Sequence, residues 1–204
     1  MNRDIICIYY SRTGKTKRVM REIAYALDCE LVEVRDRVRR GGALGWVRCG
    51  LDAMRKKTKA ITRLEMERQL WEYKLVILGT PVWAGRCSSV MRGLLKRRGH
   101  EMNDVAYVLT HKSDQPYRKV FRQMDLYLQK PHVIDASLRP GSRGYVFWRE
   151  QFLKACAEFA GAPLRPVEEE QAAEANREAA ASRRPKTDAA GEKKKTAEQT
   201  GTEQ

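Results

Sequence analysis

Large apolar residues all but vanish from the last fifth of the chain. From Arg165 to Gln204 there is a single residue from the set Val, Ile, Leu, Met, Phe, Trp and Tyr, namely Val167. A stretch so poor in apolar surface cannot offset the entropy of ordering it. Residues 165–204 are therefore expected to form a disordered polar tail, and residues 1–164 one domain with a single core. Cysteine is scarce as well: Cys7, Cys29, Cys49, Cys87 and Cys156 are odd in number, widely spaced and free of any C-x-x-C pair, with no histidine at ligand spacing. That excludes a disulfide scaffold and a zinc site and fits a reducing cytoplasm. No apolar run approaches the roughly 18 residues of a membrane span. Met1-Asn2-Arg3-Asp4 leads straight into a strand-like segment with no signal-peptide core, which again points to the cytoplasm.

Acidic residues are the third shortage. Before residue 165 there are 17 Asp and Glu against 32 Lys and Arg, while the tail holds nine against eight, so the domain carries +15 of a chain whose net charge is +14. A field of that sign attracts acidic proteins, polyanions and anionic lipid.

What is present is an alternation of strands and helices. Ile5-Ile6-Cys7-Ile8-Tyr9-Tyr10 and Leu75-Val76-Ile77-Leu78-Gly79 are continuous apolar runs, as in strands buried on both faces. Glu30–Val34, Val105–Leu109 and His132–Ala136 supply three more strands. Between them, Val19/Ile23/Leu27, Leu44/Val47/Leu51/Met54, Val90/Leu94/Leu95 and Val120/Phe121/Met124/Leu128 recur at helical spacing, and Phe152/Cys156/Phe159 mark a last helix. Residues 58–73 read as a short helix or a loop on the rim. Five strands alternating with five helices predict an α/β, doubly wound parallel sheet covered on both faces. In such a sheet ligands bind at the carboxyl ends of the strands, at the point where strand order reverses. The loops after Tyr10, Thr80 and Thr110 lie there.

The first of these is Ser11-Arg12-Thr13-Gly14-Lys15-Thr16, which offers three hydroxyls, two cations and a glycine where a strand hands over to a helix. Backbone N–H groups and the helix dipole make such a place an anion site. Three readings are open: an ordinary helix cap, a nucleotide P-loop, or a monophosphate site for a flavin. The P-loop pattern G-x-x-x-x-G-K-[ST] would need glycine where Tyr9 stands, and no later strand ends in an Asp suited to magnesium. In the second loop, Pro81-Val82-Trp83-Ala84-Gly85, Pro81 is expected to end the strand sharply and leave Trp83 in a loop, able to cover a flat ring. Cys87 nearby has no base to activate it and is expected to be inert. In the third, Thr110-His111-Lys112 is followed by Pro116, which is expected to open the next helix with Tyr117 in its first turn.

Tyr10–Thr16 resembles the phosphate loop of the flavodoxin family, (S/T)-x-T-G-x-T after strand one, and Tyr73–Gly85 resembles that family's third strand and flavin-contacting loop. The resemblance spans roughly residues 4–160 in element order. It implies a flavodoxin-like five-stranded sheet of order 2-1-3-4-5, without the long insertion in strand five. It implies FMN as cofactor, held by Ser11, Arg12, Thr13, Gly14, Lys15 and Thr16 at the phosphate. Pro81, Val82, Trp83, Ala84, Gly85, Thr110, His111 and Lys112 would hold the ring. It also implies that a peptide near Ala84-Gly85 accepts the proton on flavin N5. The third loop departs from the family in having no glycine, which leaves the outer aromatic open: His111 or Tyr117 could take its place, and a solvated His111 is the alternative. A cation there, such as Lys112, would favour the anionic reduced flavin and raise its potential.

Members of that family are usually acidic, and this domain is not. Arg35, Arg37, Arg39, Arg40, Arg48, Arg55, Lys56, Lys57, Lys59 and Arg63 crowd one region against Asp36 and Asp52. That is either the solvated face of a helix or a docking surface for a redox partner with an acidic surface. Nucleic acid is an alternative on charge alone, since no recognition motif accompanies it. The expected function is electron transfer through FMN. The first alternative is an FMN-dependent oxidoreductase using NAD(P)H and a quinone. The second is a flavodoxin-fold scaffold or polyanion-binding protein without flavin.

Overall fold

The computed structural model describes residues 1–35 and 64–168. The helix expected at Leu44–Met54, Cys49, the basic residues from Arg37 to Arg63, and the tail from residue 169 lie outside them. The elements run β1 (Asn2–Tyr9), α1 (Lys15–Ala26), β2 (Cys29–Glu33), β3 (Leu75–Trp83), β4 (Arg86–Cys87) and α2 (Ser89–Arg98). They continue with β5 (Val105–Thr110), α3 (Arg118–Asp125), β6 (Ile134–Leu138) and α4 (Tyr145–Ala160). Residues 64–69 form a loop that ends in a 3-10 turn, Leu70–Glu72, with Leu64 and Leu70 buried.

Among the described residues, five strands make a parallel sheet in the order β2-β1-β3-β5-β6, and β4 pairs antiparallel with the end of β3. With that small hairpin set aside, the order is the flavodoxin-like one expected from the resemblance. The continuous apolar runs have the predicted cause. Ile5, Cys7, Leu75, Ile77, Ala106 and Val108 face one layer, packed against α1 and α4. Ile6, Ile8, Val76, Leu78, Tyr107 and Leu109 face the other, with residues of α2 and α3. Alternate residues of a strand point to opposite faces, so a strand covered twice must be apolar throughout.

Close approach sets the position of α1. A Cβ on Gly79 would collide with the Met20 side chain, so glycine there lets the helix lie close on β3. A buried ion pair fixes the same helix from its other side. Arg149 Nη1 of α4 donates to Glu22 Oε2 of α1 at 2.7 Å, both side chains being almost fully buried, and Tyr145 Oη donates to the same oxygen at 2.7 Å. Burial alone would lower the Arg149 pKa, but the Glu22 carboxylate outweighs it and holds the guanidinium above its ordinary value.

Three local expectations are corrected. Pro81 does not end β3: it pairs with Thr110 in register, and the strand continues through Val82 and Trp83 into the hairpin with β4. Proline has no N–H to give a ladder, and here it stands where the strand leaves the parallel sheet. Pro116 does not open a helix either. Tyr117 has φ 48°, outside helical backbone, and α3 starts one residue later. The last strand begins at Ile134, two residues beyond the expected His132. His132 is instead held by Asp125, Nδ1 to Oδ1 at 2.9 Å, with its ring beside Tyr107. After α4 the chain remains attached to the sheet layer. The Arg165 N–H donates to the Ala26 carbonyl at 2.8 Å, and Val167 is buried in the core. Among the described residues no helix is long and apolar enough to cross a membrane.

Candidate functional site

The carboxyl ends of β1, β3 and β5 open on a cavity of about 460 Å3. That lies within the range of cavities that hold small-molecule ligands, roughly 300–1,000 Å3. All three singled-out loops reach it: Arg12, Thr13, Lys15 and Thr16 from the first, Pro81, Val82 and Trp83 from the second, Thr110, His111 and Lys112 from the third. Of the other expected residues, Gly14 caps α1 at the surface, Ala84 and Gly85 form the exposed tip of the hairpin, and Ser11, half-buried, precedes Arg12 of the lining. None of these four is part of the lining.

The first loop is not an ordinary cap. Gly14, at φ 83°, is the N-cap of α1 and supplies no side-chain cap, and no acidic residue occupies the first turn. The left-handed backbone at this point is one that glycine adopts without strain. Ser11 Oγ and Arg12 Nε are buried with no hydrogen-bond partner among the described residues. Buried polar atoms are seldom left so. An uncapped helix end, an orphaned hydroxyl and an orphaned guanidinium nitrogen together suit an oxyanion. Thr16 is buried and committed differently: its Oγ1 lies 2.7 Å from Thr110 Oγ1, tying the first loop to the end of β5.

The second loop is a two-residue hairpin. Ala84 (φ 46°) and Gly85 (φ 68°) both take positive φ, which is what the tight primed turns require. Thr80 and Ser88 clamp its base: the Ser88 N–H donates to Thr80 Oγ1 at 3.2 Å, and Ser88 Oγ then accepts from the Met91 N–H as the cap of α2. Trp83 is braced edge-on by Tyr10, ring centroids 5.8 Å apart, and stays half-exposed at the wall. Cys87 is buried, and burial pushes its thiol up, so it stays protonated and inert.

The third loop gains its shape from side chains in place of glycines. His111 Nδ1 lies 2.7 Å from the Ser113 carbonyl and Nε2 2.9 Å from Ser137 Oγ. A carbonyl only accepts, so Nδ1 carries the proton toward Ser113, and a neutral ring would accept from Ser137 at Nε2. Tyr117 packs against the His111 ring at 5.0 Å, and its hydroxyl meets Ser113 Oγ at 2.8 Å. Tyr117 lines the cavity as Trp83 does, and so do Ser113 and Pro140. Sequence reasoning weighed Tyr117 but passed over Ser113 and Pro140. Nothing in the sequence indicated that the loop after β6 reaches this cavity.

No Asp or Glu lines the cavity among the described residues, and both His111 nitrogens are engaged. The lining is cationic, with Arg12, Lys15 and Lys112, and carries two half-exposed aromatic rings, Trp83 and Tyr117.

No protein-family model matches the chain, and no curated protein matches it significantly in sequence. Solved structures do match. A flavoprotein from Lactobacillus acidophilus NCFM, crystallised in complex with FMN, aligns with a TM-score of 0.55 and 22% identity over 72% of this chain and 99% of its own. Provisionally named flavoproteins of two Bacteroides species align as well. For B. uniformis the TM-score is 0.60 at 19% identity, covering 75% of this chain and 97% of that one. For B. eggerthii the values are 0.62, 16%, 78% and 99%. At these identities the likeness is one of fold.

Proposed function

We propose that the chain binds FMN in the three-loop cavity and works in electron transfer. The observation that carries this reading is the pair of unsatisfied donors in the first loop, Ser11 Oγ and Arg12 Nε, at a cavity that Arg12 lines together with Trp83 and Tyr117. Ser11, Arg12, Thr13, Lys15 and the first N–H groups of α1 would hold the phosphate. Trp83 and Tyr117 would flank the ring, and His111 fixes Tyr117 by packing. When bound, FMN supplies the one- and two-electron chemistry that no side chain here can. The fold likeness to a protein crystallised with FMN supports the assignment.

Adding FMN to the purified chain is expected to give a bound flavin spectrum with quenched tryptophan emission. Trp83→Ala should weaken binding about tenfold, as loss of one aromatic contact plus its buried area allows, and should shift the flavin's potential. The chain has four tryptophans, so the quenching must be compared with the variant. Unchanged affinity and potential in Trp83→Ala would remove the hairpin from the ring site.

Electron carrier and NAD(P)H-dependent reductase are both served by this site, and the lack of acidic groups on its wall favours the carrier. The wall itself is basic, with Arg12, Lys15 and Lys112, and the field of the whole domain has the same sign. A redox partner with an acidic surface fits it. Electron exchange with such a partner should slow steeply between low and physiological salt, where charges are screened over roughly 8 Å. Rates independent of salt would leave the basic charge as solvation only.

A further inference from the structure

His111 and Ser113 also line a second cavity, of about 510 Å3. It runs along β6, the edge strand of the described sheet, all five residues of which line it, with walls from the start of α3 and from α4 as far as Ala155. Its apolar wall is aromatic: Phe121 and Phe152 are buried at the core side, Tyr145 is half-buried, and Trp148 lines it while 60% exposed. A tryptophan that wet, beside a cavity of ligand size, leaves apolar surface that a ligand could cover.

The charges are arranged unequally. Arg118, Arg139 and Ser142 line the cavity, and so do Asp114 and Asp135. Asp135 lies 3.4 Å from His132 Nε2. Asp114 pairs with Arg139, but the two side chains are 87% and 42% exposed. A pair so exposed is worth at most about 1 kcal/mol, so a ligand carboxylate can take the guanidinium from Asp114 at little cost. Gly144, which lines the same cavity, is the N-cap of α4, with no side-chain cap and no acidic residue in the first turn. The positive end of that helix reinforces Arg139.

We propose that this cavity binds a planar aromatic acid, its ring against Trp148 and Tyr145 and its carboxylate on Arg139. The binding stands by itself. Its use as a substrate site rests on the flavin reading, because the shared His111 and Ser113 place the acid beside the proposed ring site.

The test is calorimetric titration of the full chain with 2-naphthoate and with its neutral counterpart 2-naphthamide, with and without FMN. The acid is expected to bind at least tenfold tighter than the amide. Arg139→Gln should remove that difference while leaving FMN affinity unchanged, and Trp148→Ala should weaken both ligands about tenfold. Both residues are at the surface, and a melting curve checks that each variant is folded. Naphthoate should bind equally with FMN present. The proposal is overturned if naphthoate does not bind, if Arg139→Gln leaves its advantage over the amide intact, or if FMN displaces it. Should FMN fail to bind while naphthoate behaves as stated, the flavin reading falls and this one stands.

Discussion

Glu22→Ala is expected to cost the fold about 3–5 kcal/mol, the usual result of stranding one charge of a buried pair. Arg149 is 1% exposed, and its Nε already has no hydrogen-bond partner among the described residues. Without the carboxylate, the guanidinium has no compensating charge beside it in the core, and the Tyr145 hydroxyl loses its acceptor. Arg18 stands 3.6 Å from the other Glu22 oxygen but is mostly exposed, so it adds little. Urea denaturation of wild type, Glu22→Ala, Arg149→Met and the double variant separates the contributions. The double variant should recover much of the loss, since replacing both charges by apolar groups is often close to neutral. A single-variant loss below about 1 kcal/mol would mean that the pair is not buried as described. The pair also joins the helix that carries the phosphate loop to α4, so Glu22→Ala should weaken FMN at concentrations of denaturant where the chain is still folded.

Riboflavin, which lacks the phosphate, is expected to bind at least a hundredfold more weakly than FMN. Charge-assisted hydrogen bonds are worth roughly 1.5–3 kcal/mol each, and two of them from Ser11, Thr13 or the α1 N–H groups account for that factor. Ser11→Ala makes the sharper experiment. Its hydroxyl is buried and unpartnered, so its removal should leave the flavin-free chain as stable as before or slightly more so, while FMN affinity falls about tenfold. Thr13→Ala should lower affinity about as much. Thr16→Ala should act differently, lowering stability too, because that hydroxyl bonds Thr110 within the protein. Equal affinities for FMN and riboflavin would refute the assignment of the first loop.

The strands were legible where burial on both faces forces an unbroken apolar run, as at Ile5–Tyr9 and Leu75–Leu78. Legibility failed where a side chain's partner is distant in sequence. His132 looks like the start of a strand until Asp125 is seen to hold it. Pro81 and Ala84-Gly85 carry no strong hairpin signal, for Ala at positive φ is set by the clamp between Thr80 and Ser88 and not by its own preference. In the site, the first loop could be read from its hydroxyls and glycine. The third could not, because its form depends on His111 reaching Ser137 on another strand. The second cavity was invisible for the same reason: its walls come from β6, α3 and α4, and no contiguous segment contains them.

The 2.7 Å contact between the Thr16 and Thr110 hydroxyls uses one of their two protons, and either oxygen can give it. Both residues line the cavity. An anion that accepted the Thr16 proton would leave that oxygen only to accept, so Thr110 would then have to donate. An anion held at the first loop would thus set the direction of a hydrogen bond at the end of β5 through the rotation of two hydroxyls, with no movement of the backbone required.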